Sequence, residues 1–224
     1  MPAPAYAAKS TASTSNASPH STNYMGSISA GDFLLLVVFT NQEFGGTPGS
    51  ISTPAGWSLV SGGVGYRDSS LNNVGSFSAF YKIADGTEVG SVAVTITGST
   101  GGSNLFYSQM YRFTGTPGPV LESGASNILG DGNATITVPA TSVGGNARTL
   151  IALIGQNTNA PGTTTGYTNR ATDSSGGIVA HLHIDTRDDV GSDGLVTAAS
   201  GHADGWATIH LSIFSPLGRS FIVN

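Results

Sequence analysis

The chain has 224 residues, a formal net charge of −5, and only 9% charged residues against 38% hydrophobic ones. Its eight Lys and Arg are scattered rather than clustered, which argues against nucleic acid and against an anionic membrane surface as partners. With no Cys there is neither a disulfide framework nor a thiolate metal site, and the longest apolar run, seven residues, is far below the about 20 that a membrane helix needs.

Residues 1–22 are mostly Ala, Ser, Thr, Pro and Asn, and they bury too little apolar area to order alone. The reading is an extended N-terminal arm, ordered only against a partner surface. "MPAPAYAAKSTASTSNASPH" has no basic start followed by an apolar stretch, so it does not read as a secretory signal; synthesis in a cytoplasm is expected.

Beyond the arm, short segments rich in Val, Ile, Phe, Tyr and Thr alternate with turn signals, the pattern of strands. "DFLLLVVF" (32–39) is a continuous apolar run, as expected of a central strand covered on both faces. "TPAGWSLV" (53–60) follows, with Pro54 fixing φ and Gly56 permitting a tight bend ahead of Trp57. A Trp here can close the end of a sandwich or stack on a sugar; the closing role is the expectation. "SFSAFYKIA" (76–84) and "SVAVTIT" (91–97) alternate with period two. "FTGTPGPVLESGASNILGDGN" (113–133) reads as a crossover loop. "ATITVPA" (134–140), "RTLIALI" (148–154) and "WATIHLSIF" (206–214) are further strands. No window of helical length keeps a 3.6 period free of Gly or Pro, so the fold class is all-β.

The order of segments repeats. "GDFLLLVVFTN" (31–41) matches "RTLIALIGQNT" (148–158), and "TPAGWSLV" matches "TTTGYTNRA" (163–171), pairing Gly56 with Gly166 and Trp57 with Tyr167. "SFSAFYKIADG" then matches "IVAHLHIDTRD" (178–188), "SVAVTIT" matches "GLVTAAS" (194–200), and "LFYSQMYRFTG" (105–115) matches "WATIHLSIFSP" (206–216). The pattern predicts two related halves, about 23–115 and 131–216, within a duplicated sandwich over 23–217, followed by a tail at 218–224. They form one sandwich with a shared core or two stacked sandwiches.

Few residues carry chemistry. His181 and His183 stand at i and i+2 on a strand, with Asp185, His202 and Asp204 following. A β-sandwich metal site could be built from them, but Leu182 and Ile184 between them fit a solvent-facing polar row, the preferred reading. "DTRDDVGSDG" (185–194) could suit calcium, yet its spacing is not that of an EF-hand and Arg187 sits among the acids, so a polar hairpin loop is expected. No nucleophile elbow, phosphate loop or H-E-x-x-H is present. The expectation is no catalytic, cofactor-binding or metal-binding residue, and no enzyme.

"SISAGDFLLLVVFTN", "TPAGWSLV", "FSAFYKIADGTEVGSVAVTIT" and "YRFTG" together resemble a recurring module of tailed-bacteriophage virion proteins, with its G-D-L-L-L strand, P-x-G-W corner, Y-K-x-A-D-G-x-E turn and closing Y-R strand. The likeness covers about residues 26–216, with Tyr167 and "HIDTRDD" as departures in the second half. It implies a jelly-roll-like β-sandwich and a structural virion protein, foremost a capsid decoration protein, with a tail-fibre or spike module binding a host glycan as the alternative. The partners implied are the phage capsid or neighbouring virion proteins and further copies of the chain as a homo-oligomer, a trimer among its forms. Localisation would be the virion. No catalytic residue comes with the resemblance.

Overall fold

In a computed structural model, the described residues are 3–43, 49–67, 73–97, 104–115, 119–129, 135–140, 148–157, 161–174, 180–189, 196–199 and 205–216. All regular structure among them is β. In chain order the strands are β1 (Ala5–Lys9), β2 (Ser13–Ser15), β3 (His20–Asn23), β4 (Phe33–Glu43), β5 (Ser50–Ile51), β6 (Ser58–Arg67), β7 (Asn73–Ile83), β8 (Ser91–Val94), β9 (Ile96–Thr97), β10 (Asn104–Thr114), β11 (Val120–Leu129), β12 (Thr135–Val138), β13 (Arg148–Asn157), β14 (Thr168–Ser174), β15 (Ala180–Asp189), β16 (Val196–Ala199) and β17 (Trp206–Phe214).

Two large antiparallel sheets carry the fold. The first runs β1-β10-β4-β7-β6, with β2 also pairing β10; the second runs β11-β17-β13-β15-β14. Read from the start of each half, the two orders correspond strand for strand. Short ribbons, β3-β8 and β5-β9 in the first half and β12-β16 in the second, complete the set. The ribbons β3-β8 and β5-β9 form a short second layer over the outer face of the first sheet.

The strand period explains how these layers stack. Along β4, Phe33, Leu35, Val37 and Phe39 face the second sheet, joining Ile151, Leu153, Ile184, Ile209 and Leu211 in the largest core. Leu34, Leu36 and Val38 point the other way, into a second core with Val92, Val94 and Ile96 of the ribbon. On the outer face of the second sheet, Ile154 packs with Ile136 and Trp206, and Leu150 and Ala152 pack with Val138 and Tyr167. Both apolar runs are thus covered on both faces, as their lack of alternation predicted. The stack is ribbon, sheet, sheet, ribbon: two sandwiches sharing a central core.

The large sheets meet reciprocally. The β1 edge of the first lies by the β14 edge of the second, where Lys9 Nζ reaches Asp173 Oδ1 at 2.7 Å and Arg170 stands 6.0 Å over the Tyr6 ring. The β6 edge of the first lies against β11, where a β-carbon on Gly124 would come within 2.8 Å of Val60 Cγ1. Each of these four edge strands also breaks register once or more, as at Tyr6/Ala8 and Leu121/Ser123. Such bulges blunt an edge against stray strand addition.

The expected N-terminal arm is corrected here. Residues 5–9 form the edge strand β1, paired with Tyr111–Thr114, and residues 20–23 form half of a ribbon with β8. Ser10 adds a backbone bond to Met110 O at 2.8 Å and a hydroxyl bond from Met110 N at 3.0 Å. Side-chain burial alone would leave these residues unordered, but the open edge of β10 supplies backbone partners within the same chain. The 113–133 crossover is likewise corrected: Val120–Leu129 pairs with β17 as the second-sheet counterpart of β1.

Candidate functional site

The motifs that run through the first half converge on one end of its sheet, where β4 begins and β7 and β10 finish. Asp32 is buried there; its Oδ2 accepts from Ser29 N at 2.9 Å and lies 3.5 Å from Arg112 Nη1, which also donates to Ser27 O. Gly31 N donates to Ala84 O and Ala84 N to Asp32 O, each at 2.8 Å, tying the G-D strand to the start of the A-D-G turn. Within that turn Glu88 accepts from Asp85 N and Gly86 N at 3.0 Å and pairs with Lys82 at 2.8 Å. Burial would raise the Glu88 pKa, but these hydrogen bonds outweigh it and hold the carboxyl below its ordinary value, while the Glu88 bond raises that of Lys82. Gly86 has φ +87, and a β-carbon there would sit 3.2 Å from Ala30 N, so the turn needs glycine on both counts.

The P-x-G-W corner belongs to the same end. Trp57 N donates to Pro54 O at 3.1 Å across Gly56, whose φ of +78 suits the third position of a type II turn. The Trp57 ring is 7% exposed, part of the core under the ribbon, and stacks on Tyr24 with centroids 6.5 Å apart. The second half repeats the turn: Tyr167 N donates to Thr164 O at 2.9 Å across Gly166, φ +80. Tyr167 is 9% exposed, and its hydroxyl meets His210 Nε2 at 2.7 Å. Both aromatics serve as core lids, and Trp57 lacks the open face that sugar stacking requires.

The candidate ligand row is only partly visible. His202 and Asp204, the side chains of His181 and His183, and the 190–194 part of the acidic loop lie outside the described residues. Asp185 is fully buried, with Thr164 N donating to Oδ2 and Asn169 Nδ2 to Oδ1 at 3.2 Å. It braces the Gly166 corner, so its place in a solvent-facing row is corrected: Thr164 of the corner and Asn169 of β14 hold its buried carboxylate. Among the described residues no three His, Asp or Glu side chains converge on a metal-sized site.

Two polar clusters lay beyond the reach of sequence reasoning. His20, Thr22 and Ser108 are buried together, with His20 Nε2 2.7 Å from Ser108 Oγ, His20 Nδ1 3.0 Å from Ser15 Oγ, and Thr22 Oγ1 bonded to Ser108 Oγ. Burial lowers the His20 pKa. A His–Ser contact can activate a nucleophile, but both side chains are sealed between ribbon and sheet, and the remaining ring nitrogen meets a serine rather than an orienting carboxylate. In the second half, the fully buried Arg148 pairs with Glu122 through Nε at 2.9 Å and Nη2 at 3.2 Å, and Ser212 Oγ bonds the same carboxylate at 2.8 Å. By register Arg148 occupies the place of Asp32 and Ser212 that of Arg112, so the second half braces the same end with the basic partner on the other strand. A lone His in the arm and an Arg after a glycine-rich stretch carried no periodic signal that would have singled them out.

No family model matches the chain, and neither a curated protein nor a solved structure matches it.

Proposed function

We propose that the protein is a structural component of a tailed-bacteriophage particle, displayed on the capsid surface as a decoration protein. The observation that carries this reading is that the residues of the shared motifs are used as framework: Asp32, Gly31, Arg112, Lys82, Glu88, Gly86 and Trp57 each hold one end of the first sheet together. A motif spent on framework marks a module that is displayed, whereas an enzyme's shared residues would line an accessible site. The charge-poor, hydroxyl-rich surface fits packing beside many identical copies, because it adds little repulsion between neighbours. Residues 5–23 are in the fold rather than free, so attachment in this reading uses a surface of the sandwich.

Labelled protein added to capsids that lack it, imaged at low resolution and counted per particle, tests the proposal. Capsid-wide binding at hundreds of copies supports it. A handful of copies at the tail tip, together with retention on host glycans, replaces it with the receptor-binding alternative.

A further inference from the structure

The two halves fill the same space in different ways. In each, a ribbon lies over the outer face of its large sheet and turns two side chains of its first strand inward. In the second half these are Ile136 and Val138 of β12, both fully buried, and Thr208 of β17 beside them donates to Thr137 O at 2.9 Å. In the first half they are His20 and Thr22 of β3. Ser108 of β10 holds the register place of Thr208, pairing with Val38 of β4 as Thr208 pairs with Ile154 of β13. The apolar version shows that the fold does not need a histidine at this contact.

The polar version depends on where its protons sit. Ser15 Oγ donates to Ala17 O at 3.2 Å, so the neutral ring donates from Nδ1 to Ser15 Oγ and accepts at Nε2 from Ser108 Oγ, which in turn accepts from Thr22 Oγ1. A proton added at Nε2 reverses this chain and leaves the fully buried Thr22 hydroxyl without an acceptor among the described contacts. It also places a charge where no opposite charge answers it. The ring is faced by Ser15 from β2, Ser108 and Phe106 from β10, Thr22 from its own strand and Val94, its pairing partner on β8, none of them an acid or a base. Burial is accordingly what lowers the ring's pKa, with no charged neighbour contributing.

We propose that His20 is an acid-sensitive latch: protonation of its ring frees residues 13–23 from β10 and β8, while the two large sheets and the second ribbon stay folded. These residues move as one piece, because Ser13 Oγ ties β2 to Ser21 O of β3 at 2.6 Å. Exchanging buried polar groups for apolar ones of similar volume is often neutral or stabilising, so a cluster kept polar where its counterpart is apolar fits a switch.

Hydrogen exchange of the full chain between pH 7.5 and 5, resolved by peptide and normalised to intrinsic rates, tests the latch. Protection of residues 20–23 and 91–94 is expected to fall by about tenfold or more toward pH 5, while that of 135–138 changes little. In a variant that copies the second half, His20→Ile with Thr22→Val and Ser108→Thr, the fall should vanish. Should that variant fail to fold, His20→Gln, whose amide takes up no proton in this range, carries the same comparison. An equal fall in both ribbons would overturn the proposal, because the whole sandwich would then be loosening. No fall in the first ribbon, or a fall that persists in the variants, would overturn it too.

Discussion

Gly155 of β13 faces Phe39 of β4 so closely that a β-carbon on it would lie 2.6 Å from the ring's Cδ2 and 3.1 Å from Phe77 Cδ2. The two rings are fully buried and locked edge-to-face, with centroids 5.9 Å apart at 77°, so neither can swing aside. Gly155 therefore sets how closely the two large sheets approach. Gly155→Ala is expected to lower unfolding free energy by ~1–3 kcal/mol through overpacking. Urea denaturation checks this, and an unchanged midpoint would show that the sheets have room to spare.

Much of this was legible in the sequence because it is periodic. The unbroken runs at 33–39 and 150–154 foretold strands buried on both faces, and Leu34 and Phe33 do enter different cores. The paired Gly56 and Gly166 corners were readable because a positive φ demands glycine. What stayed hidden depends on contacts far apart in the chain. Tyr6 and Ala8 alternate along an edge strand, but nothing local says that β10 awaits them about a hundred residues later. His20 gains its meaning only from Ser108, 88 positions away. Asp185 looked like a solvent-facing acid because strand alternation tells which residues share a face, and not what covers that face.

Trp57 closes the first-half core beneath Tyr24, and cutting it back opens a cavity that the type II turn cannot collapse into. Trp57→Ala is expected to cost ~3–5 kcal/mol. Thermal melting measures this. A variant that melts like the parent but no longer binds a glycan would instead give Trp57 a sugar-stacking role.

Deleting residues 2–22 removes the edge strand β1, the Tyr6 ring packed 5.7 Å from Phe113, and the buried His20 and Thr22 that satisfy Ser108. The half-buried Tyr6 ring contributes part of the about 1.5–3 kcal/mol of a fully buried large side chain, and leaving the buried Ser108 without His20 and Thr22 adds about 1–3 kcal/mol; each kcal/mol moves the midpoint of a domain this size by about 2–4 °C. The truncated chain should melt at least about 10 °C lower or fail to fold in soluble form. A soluble product with unaltered melting would mean that these strands contribute little to the sandwich, and it would restore the free-arm reading.

Stability should fall on mild acidification, and His20 should be one cause. The ring is buried against hydroxyls: Ser108 on β10, Ser15 on β2 and Thr22 on its own strand, with the Phe106 ring 6.2 Å away edge-on. No carboxylate is among its described contacts to stabilise a charged ring, and burial holds its pKa below the ordinary 6.5. The sign follows from proton counting. Below pH 6.5 the unfolded chain binds a proton at His20 that the folded chain refuses, so stability is fully present above that pH and is lost as pH falls toward the lowered folded pKa. The slope from one such group is at most about 1.4 kcal/mol per pH unit. Glu88 acts in the same direction at lower pH: its depressed pKa contributes stability that is present above its ordinary value near 4.5 and lost as pH falls through the folded one. Urea unfolding from pH 7.5 to 5, in the parent and in His20→Gln, isolates the histidine. The variant should be less stable at pH 7.5 and lose less than the parent on acidification. Parallel curves across that range would show that His20 is already free to take up its proton in the folded protein.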